Sequence, residues 1–493
     1  MWFLVAALLA VVTAWVLLRR RPPSHIPSSL GARGARVGSL VGRSLVRKAW
    51  LRLRQVVATR DHRRRLEQQH HLHSAQEAAQ VLGQMKGVFM KLGQVVSFAN
   101  DALPAEAQAA LRPLQQGAPP MDFALARGVI EEELGDLGRH FKSVEEEPIA
   151  AASIGQVHRA RLLDGTRVVL KVQYPGVAAA MESDLGMTAG LAAMVGAVAR
   201  NLDAKSVVAE LAARMREELD YGRELKNQAL FARIWEGHPL IRVPRVYPAH
   251  SGRRVLCQEY ARGLGFYDFL EQSTERERRL AVYVLHDFVF DSMFMHRVFN
   301  GDPHPGNYLF QEDGGVTFLD FGCVKRFSSA FVRELQTLSR SICEEDRGAF
   351  DAVVKRLQIV LPGRPYDSDL MWRFFGYHAA PFARDEPFAF TAEWIAEARA
   401  VMEQKTLQQM NLPPDILFFN RITFGLNAIF HKLGAADNFH RLYRRYMYED
   451  EQSPPAVARA GVPLPDRFLA VRGPEEAWYG DAGEAQPPKG DAP

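Results

Sequence analysis

Residues 301–310 read GDPHPGNYLF and residues 316–322 read VTFLDFG, and the spacing within these two segments decides the fold. Asp302 and Asn307 stand five positions apart, and Asp320 follows Asn307 by thirteen. The apolar run Val316–Leu319 has the pattern of a short strand, with Tyr308–Phe310 as its partner, so Asp320 is delivered at a strand end. Phosphoryl transfer asks little covalent chemistry of a protein. It asks for a carboxylate near the attacking hydroxyl or water, and for oxygen ligands to the magnesium that bridges the phosphates. A D-x-x-x-x-N loop followed by D-F-G supplies both. Asp302 then orients the acceptor, while Asn307 and Asp320 hold Mg2+. D-F-G alone is a common tripeptide; order and spacing carry the argument.

Upstream, Val157–Arg161 and Thr166–Val172 alternate as strands around the turn Leu163-Asp164-Gly165, a hairpin signal. Lys171 lies in VVLKVQ near the end of the second strand. An edge-strand charge would fit there. In a two-lobed phosphotransfer site, the same lysine contacts the nucleotide phosphates and is held by a glutamate. The preceding loop, residues 150–157, reads AAASIGQV. Laid on a G-x-G-x-x-G-x-V loop, Ala150 and Ala152 take the first two glycine positions and only Gly155 remains. The candidate nucleotide-covering segment is Ala150, Ala151, Ala152, Ser153, Gly155 and Val157. Its alternative is a small-residue turn before a strand. Gln258-Glu259-Tyr260-Ala261 aligns with the hinge between two such lobes, where backbone groups of Glu259 and Ala261 would bind adenine. A buried strand running into a turn at Gly263 needs the same residues.

With these motifs together, the chain resembles the UbiB/ADCK (AarF) family of atypical kinases, over roughly Ala75 to Tyr446. The alanine-rich loop is one mark of that family. A second is the K-x-G-Q motif of its N-terminal extension, present as Lys91-Leu92-Gly93-Gln94, and a third is its companion E-x-D, present as Glu218-Leu219-Asp220. Glu224, six residues beyond Glu218, falls where the family places the glutamate that pairs with the lysine, here Lys171. The resemblance implies that the extension packs over the cleft where a protein substrate would otherwise bind, and that Lys91, Gly93 and Gln94 limit ordinary protein-kinase activity. The residues support this independently. Lys91 shares a helical face with Gly87, Val88 and Val95, and needs a carboxylate if buried, which Glu218 or Asp220 can provide. Otherwise it snorkels to solvent.

The fold expected is α+β: a two-lobed protein-kinase-like fold with a helical N-terminal extension and a mostly helical C-lobe. Its 493 residues, 47% hydrophobic and 24% charged, suffice for a large core. Residues 1–18 are uncharged and almost wholly apolar, and at about 1.5 Å per residue they reach roughly 27 Å, enough to cross a bilayer core. Fourteen Lys and Arg residues follow between Arg19 and His73, against only Asp61 and Glu67. Basic charge beside an apolar run points to anionic lipid rather than nucleic acid, and the positive-inside rule leaves the rest of the chain in the cytoplasm. A cleaved or organellar targeting segment is the alternative. The expected units are an anchor at 1–18, a basic juxtamembrane linker at 19–74, a helical extension at 75–145, an N-lobe with a helical insertion at 146–262, a C-lobe at 263–450 and a disordered tail at 451–493. Helices are expected at about Ser74–Leu111, from Asp122 to Leu134, and as a pair over Ala178–Asn227; Val243–Val246 and Arg254–Tyr260 read as strands.

Cys257, Cys323 and Cys343 are far apart with no CxxC pair, and read as reduced thiols. His70, His71 and His73 resemble a metal tract without a partner cluster and read as a solvated helix end. His304, inside the Asp302 loop, reads as structural rather than as a ligand or base. Gly301 replaces the arginine that usually partners an activation-loop phosphate, and no A-P-E follows Asp320, so a phosphorylation switch and a peptide platform are not expected. The function implied is a membrane-associated atypical kinase or ATPase using ATP and Mg2+ in support of ubiquinone or related isoprenoid-lipid biosynthesis or transport. Its partners would be ATP, a membrane lipid or quinone precursor, and biosynthetic enzymes of the quinone pathway, with no nucleic acid. A conventional protein kinase and a nucleotide-sensing scaffold with little turnover are the alternatives.

Overall fold

The structure is a computed structural model that describes residues 120–152, 154–185, 204–401, 410–411, 413–450 and 452–473. The anchor, the linker, the histidine tract, Ser153 and the K-x-G-Q residues Lys91, Gly93 and Gln94 lie outside these. The described residues show the α+β kinase-like fold.

A five-stranded antiparallel sheet forms the first lobe. It comprises β1 (Phe141–Val144), β2 (Ala150–Ala151), β3 (Gly155–Leu162), β4 (Arg167–Gln173) and β6 (Val255–Glu259), in the order β1-β3-β4-β6 with β2 on β3. The β3–β4 hairpin turns at Gly165, whose φ of 87° is the left-handed region that glycine adopts without strain. Strand alternation then separates two faces. Val168, Leu170, Val172, Val255 and Cys257 face helix α1 (Phe123–Leu134), where they pack with Ala126, Val129 and Ile130. Asp122 caps that helix by accepting the Ala124 N–H at 2.8 Å. Lys171 and Leu256, opposite each other in the β4–β6 register, lie on the other face.

That face is covered in part by α2 (Val177–Leu185), α3 (Ala204–Glu218) and α4 (Tyr221–Ile234), through Val177, Met181, Met215, Leu219 and Tyr221. The helical run expected over Ala178–Asn227 is therefore broken at Leu219–Asp220, and its last member continues to Ile234. Two further expectations are corrected. Residues 141–144 are not helical extension but the edge strand β1, tied to the lobe by antiparallel pairing with β3, Phe141 opposite Leu162 and Val144 opposite Ala160. Over Val243–Val246 only an isolated bridge between Val246 and Gln258 forms, and the strand here is β5 (Ile241–Arg242), parallel to a later one.

The second lobe is mostly helical, as expected. Its helices are α5 (Phe266–Gln272), α6 (Glu275–Phe290), α7 (Ser329–Cys343), α8 (Arg347–Arg356), α9 (Ser368–Ala383), α10 (Ala392–Val401), α11 (Pro414–Leu433) and α12 (Phe439–Met447). Four short strands sit at the junction with the first lobe: β7 (Val298–Asn300), β8 (Tyr308–Phe310), β9 (Val316–Phe318) and β10 (Val324–Arg326). The β8–β9 pair is a local antiparallel hairpin, and β5, far earlier in the chain, adds to β9, so two regions distant in sequence fix the entry to Asp320.

Residues 452–473 are not the expected disordered tail. They form the short helices α13 (Ala456–Arg459) and α14 (Asp466–Leu469) against the second lobe. Low periodicity hid the anchors. Asp287, 1% exposed on α6, accepts the N–H groups of Ala456 at 2.9 Å and Val457 at 2.8 Å. Arg445, equally buried, donates to the carbonyls of Phe468 and Ala470, and Phe468 stacks on Trp235. A buried Arg or Asp is tolerated only when its charge is met in this way.

Candidate active site

Lys171 stands at the centre. Its Nζ donates to Glu224 Oε1 at 2.8 Å and to Asp320 Oδ2 at 2.9 Å, so it bridges α4 to the end of β9. Lys171 is 12% exposed and Glu224 2%, whereas Asp320 is 29% exposed and borders solvent. Burial opposes charge on Lys171, but Asp320 and Glu224 outweigh it and hold its pKa well above the usual value. Burial pushes Glu224 the other way, up to about 7; Lys171 resists this and Asp320 adds to it. The lysine thus stays protonated, and the pair responds to pH through Glu224.

Glu224 is placed by its helix. Asp220 caps α4, accepting the Gly222 N–H at 2.9 Å, and Glu224 follows one turn later on the face toward Lys171. This gives Asp220 of the E-x-D motif a local role; its expected partner Lys91 lies outside the described residues. Asp320 is set by three contacts. Its Oδ1 accepts the Gly322 N–H at 2.9 Å, its carbonyl accepts from Asn300 Nδ2 at 2.7 Å, and Phe321 is fully buried beside Phe231 of α4.

The Asp302 loop is built around this point. Asn307 Nδ2 donates to the Asp302 carbonyl at 3.1 Å, and the Leu319 N–H donates to the Asn307 carbonyl at 3.0 Å. Asn307 and Asp320 therefore stand across a single backbone hydrogen bond. With the amide nitrogen of Asn307 occupied, its oxygen is the group left for a cation. One amide oxygen and one carboxylate suit magnesium, which keeps several waters and takes few protein ligands. Among the described residues no group of three or more His, Cys, Asp or Glu is set to hold a metal. His304 caps the turn Pro305–Asn307 by accepting the Gly306 N–H at 3.0 Å, the structural role expected. Gly301 is closely packed. A Cβ there would meet Cys323 Sγ at 3.0 Å and the Cys323 carbonyl at 3.1 Å, so a side chain at this position requires Cys323 to give way by a few tenths of an ångström.

The alanine loop folds over the sheet. Ala150 pairs with Val157 and Ala151 with Gln156, and the Ala152 N–H donates to the Gly155 carbonyl at 2.7 Å. Val157 is opposite Lys171 in the β3–β4 register. A Cβ on Gly155 would run into the Val172 carbonyl and meet Tyr221 Oη at 2.9 Å. At the hinge, the Glu259 N–H is taken by the Arg245 carbonyl at 2.8 Å, and the Tyr260 N–H by that of Arg167. Among the described residues no backbone carbonyl accepts from the Ala261 N–H.

Three contributors were missed in the sequence. Tyr221 places its ring 5.3 Å from Lys171 Nζ, Asn300 ties Asp302 to Asp320, and Asn227 holds the Phe321 carbonyl at 3.1 Å. Tyr221 directly follows the E-x-D motif, which could have drawn notice to it. The two asparagines carry no such signal.

The family described as the ABC1 atypical kinase-like domain matches residues 113–354. The uncharacterized protein sll0095 of Synechocystis is 30% identical over 410 residues, covering 80% of this chain and 69% of that protein. The chain belongs to the UbiB family of ABC1 atypical kinase-like proteins. Within that family, a protein named as a probable protein kinase UbiB, from Marinobacter nauticus, is 34% identical over 253 residues, 49% of this chain and 46% of its own length. Among solved structures, Mycobacterium tuberculosis Rv3197, determined in complex with erythromycin, is 29% identical with a TM-score of 0.56; the match covers 77% of this chain and 95% of that one. The chain spans between 36% and 60% of the length of several other curated relatives it matches. No described helix is long and apolar enough to cross a membrane; residues 1–18 lie outside that set.

Proposed function

We propose that this chain binds Mg-ATP between its two lobes and turns it over as an atypical kinase or ATPase at a membrane, in support of ubiquinone or related isoprenoid-lipid biosynthesis or transport. The observation that carries the nucleotide reading is the bridge from Lys171 to Glu224 and Asp320, with Asn307 bonded to the backbone of Leu319 next to Asp320 and Asp302 bonded in turn to Asn307. A cation between two carboxylates is ready to exchange one of them for a phosphate oxygen when a metal arrives at Asp320. Lys171, held by Glu224, would meet the phosphates under Ala150–Ala152, Gly155 and Val157. Asn307 and Asp320 would hold magnesium, which would neutralise charge on the transferring group. Asp302, at the mouth of the loop, would orient the acceptor oxygen, from water or a small molecule. Glu259 and Ala261 would offer backbone groups to adenine.

The membrane part rests on the apolar residues 1–18 and the basic run after them, which would anchor the chain with the lobes on the cytoplasmic side, or at an organellar membrane in a eukaryote. The quinone part rests on the family. Lys91, Gly93 and Gln94, with Glu218 and Asp220, would close the cleft to peptides, and a lipid or quinone precursor and enzymes of that pathway would be the partners. The test is ATP turnover with and without anionic liposomes and quinone-precursor-like phenols, in wild type, Asp320→Asn and Lys91→Ala. Stimulation by lipid or phenol that Asp320→Asn abolishes supports the reading. Absence of turnover in both wild type and Lys91→Ala under every condition overturns it.

A further inference from the structure

Gln258 is the penultimate residue of β6, beside the hinge, and it is 7% exposed. It stands opposite Val169 in the β4–β6 register, two positions from Leu256, which is opposite Lys171. Alternate residues of a strand share a face. Gln258 therefore lies on the Lys171 face with Val157, Val169 and Leu256, while its neighbours Val255 and Cys257 face α1. Leu256 is covered by Tyr221 and Ile154; Gln258 lies farther along the strand, toward the hinge.

Its amide oxygen is buried and has no hydrogen-bond partner among the described residues. Among the described residues, other buried glutamines are each anchored by at least one hydrogen bond: Gln156 bonds both backbone groups of Met121, Gln173 donates to the Leu219 carbonyl at 2.8 Å, and Gln228, whose amide oxygen is likewise without a partner, donates to the Pro244 carbonyl at 2.8 Å. A buried carbonyl oxygen left without a donor is costly, and such groups persist where a ligand completes them.

We infer that Gln258 selects the base of the nucleotide, its amide oxygen accepting a hydrogen bond from the exocyclic amino group of adenine. This rests on the nucleotide reading above. Val157 and Val169 give the surrounding wall an apolar surface suited to a flat heterocycle, and Gln258 adds a directional acceptor. Adenine presents an amino donor at position 6. Guanine and hypoxanthine present a carbonyl there, which faces the amide oxygen as like against like. A site built around one acceptor rejects a ligand that lacks the donor.

The experiment measures magnesium-dependent binding of ATP, GTP, inosine triphosphate and purine riboside triphosphate to the full chain, in wild type, Gln258→Met and Gln258→Glu. Purine riboside triphosphate has no group at position 6, so it isolates the single hydrogen bond. Wild type is expected to bind ATP roughly three- to ten-fold more tightly than purine riboside triphosphate, the range of one net hydrogen bond, and to reject GTP and inosine triphosphate more strongly. Gln258→Met removes the side-chain acceptor at similar volume and should narrow the preference for ATP over purine riboside triphosphate to what the Glu259 carbonyl supplies. Gln258→Glu keeps an acceptor and should keep the preference for ATP. Equal binding of ATP and purine riboside triphosphate by wild type, or a preference unchanged in Gln258→Met, overturns the inference and leaves nucleotide binding standing. Absence of binding by any of the four overturns both.

Discussion

Replacing Lys171 with methionine should give a stability deficit that grows with pH. The cation contacts two carboxylates at 2.8 and 2.9 Å, and methionine keeps most of the side-chain volume, so the change is chiefly electrostatic. Glu224 is 2% exposed, and even with the lysine present its pKa is pushed from 4.5 to about 7 by burial. That displacement corresponds to roughly 3 kcal/mol against holding the ionised form. Because the folded value lies above the unfolded one, Glu224's contribution is fully present below pH 4.5 and is lost as pH rises through about 7. Without Lys171 the folded value climbs further, so the variant keeps losing stability where wild type has levelled off. The gap should widen by about 1.4 kcal/mol for each pH unit above 7. It should level off near the 3–5 kcal/mol typical of an orphaned buried charge. Urea unfolding of both proteins at pH 6, 7, 8 and 9 measures it. The double variant Lys171→Met/Glu224→Gln should flatten the slope. A gap that is constant with pH, or widest in acid, refutes the reasoning.

Asp320→Asn should remove magnesium-dependent stabilisation by ATP while shifting the apo melting temperature by only a few degrees, read by thermal unfolding with and without Mg-ATP. Gly155→Ala forces the loop away from the Val172 carbonyl and Tyr221, and should cost about 1–3 kcal/mol in urea unfolding with weakened ATP binding. The limb of kcat/KM for ATP should rise with pH around 7 as Glu224 ionises and pairs with Lys171, and Glu224→Gln should erase it, seen in a pH–rate profile. Asp287→Ala strands two buried N–H groups, those of Ala456 and Val457, and should cost about 2–5 kcal/mol together with earlier proteolysis after residue 450.

The chemistry was most legible where it depends on short spacing. Asp302, Asn307 and Asp320 lie within nineteen positions, and the β3–β4 hairpin that presents Lys171 announces itself by alternation and a turn glycine. Glu224 could not be paired with Lys171 by such means, because the contact closes over a separation of 53 residues and depends on the angle at which α4 leaves its Asp220 cap. The family motif supplied what periodicity could not. Strand β1 is not legible in the sequence because its four residues, Phe141–Val144, carry only one fully buried position, too little alternation to read. The segment after residue 450 hides its order for the same reason. Its order comes from Asp287 and Arg445, charged residues on helices far earlier in the chain or beyond a turn, and no local pattern reveals that a distant buried carboxylate is waiting for two amides.

That last contact also sets a timetable for synthesis. Asp287 and the N–H of Val457 are 170 residues apart, and at about 5–20 residues per second the ribosome needs roughly ten to thirty seconds to deliver the second after the first. The β3–β4 hairpin, by contrast, has both strands in hand within the same few residues. The first lobe can therefore mature while the second still holds an open seam, with Trp235 uncovered and Asp287 unmatched until residues 456–470 emerge. Nascent chains arrested before residue 456 should expose that seam to protease and chaperones, and those arrested well past residue 473 should not.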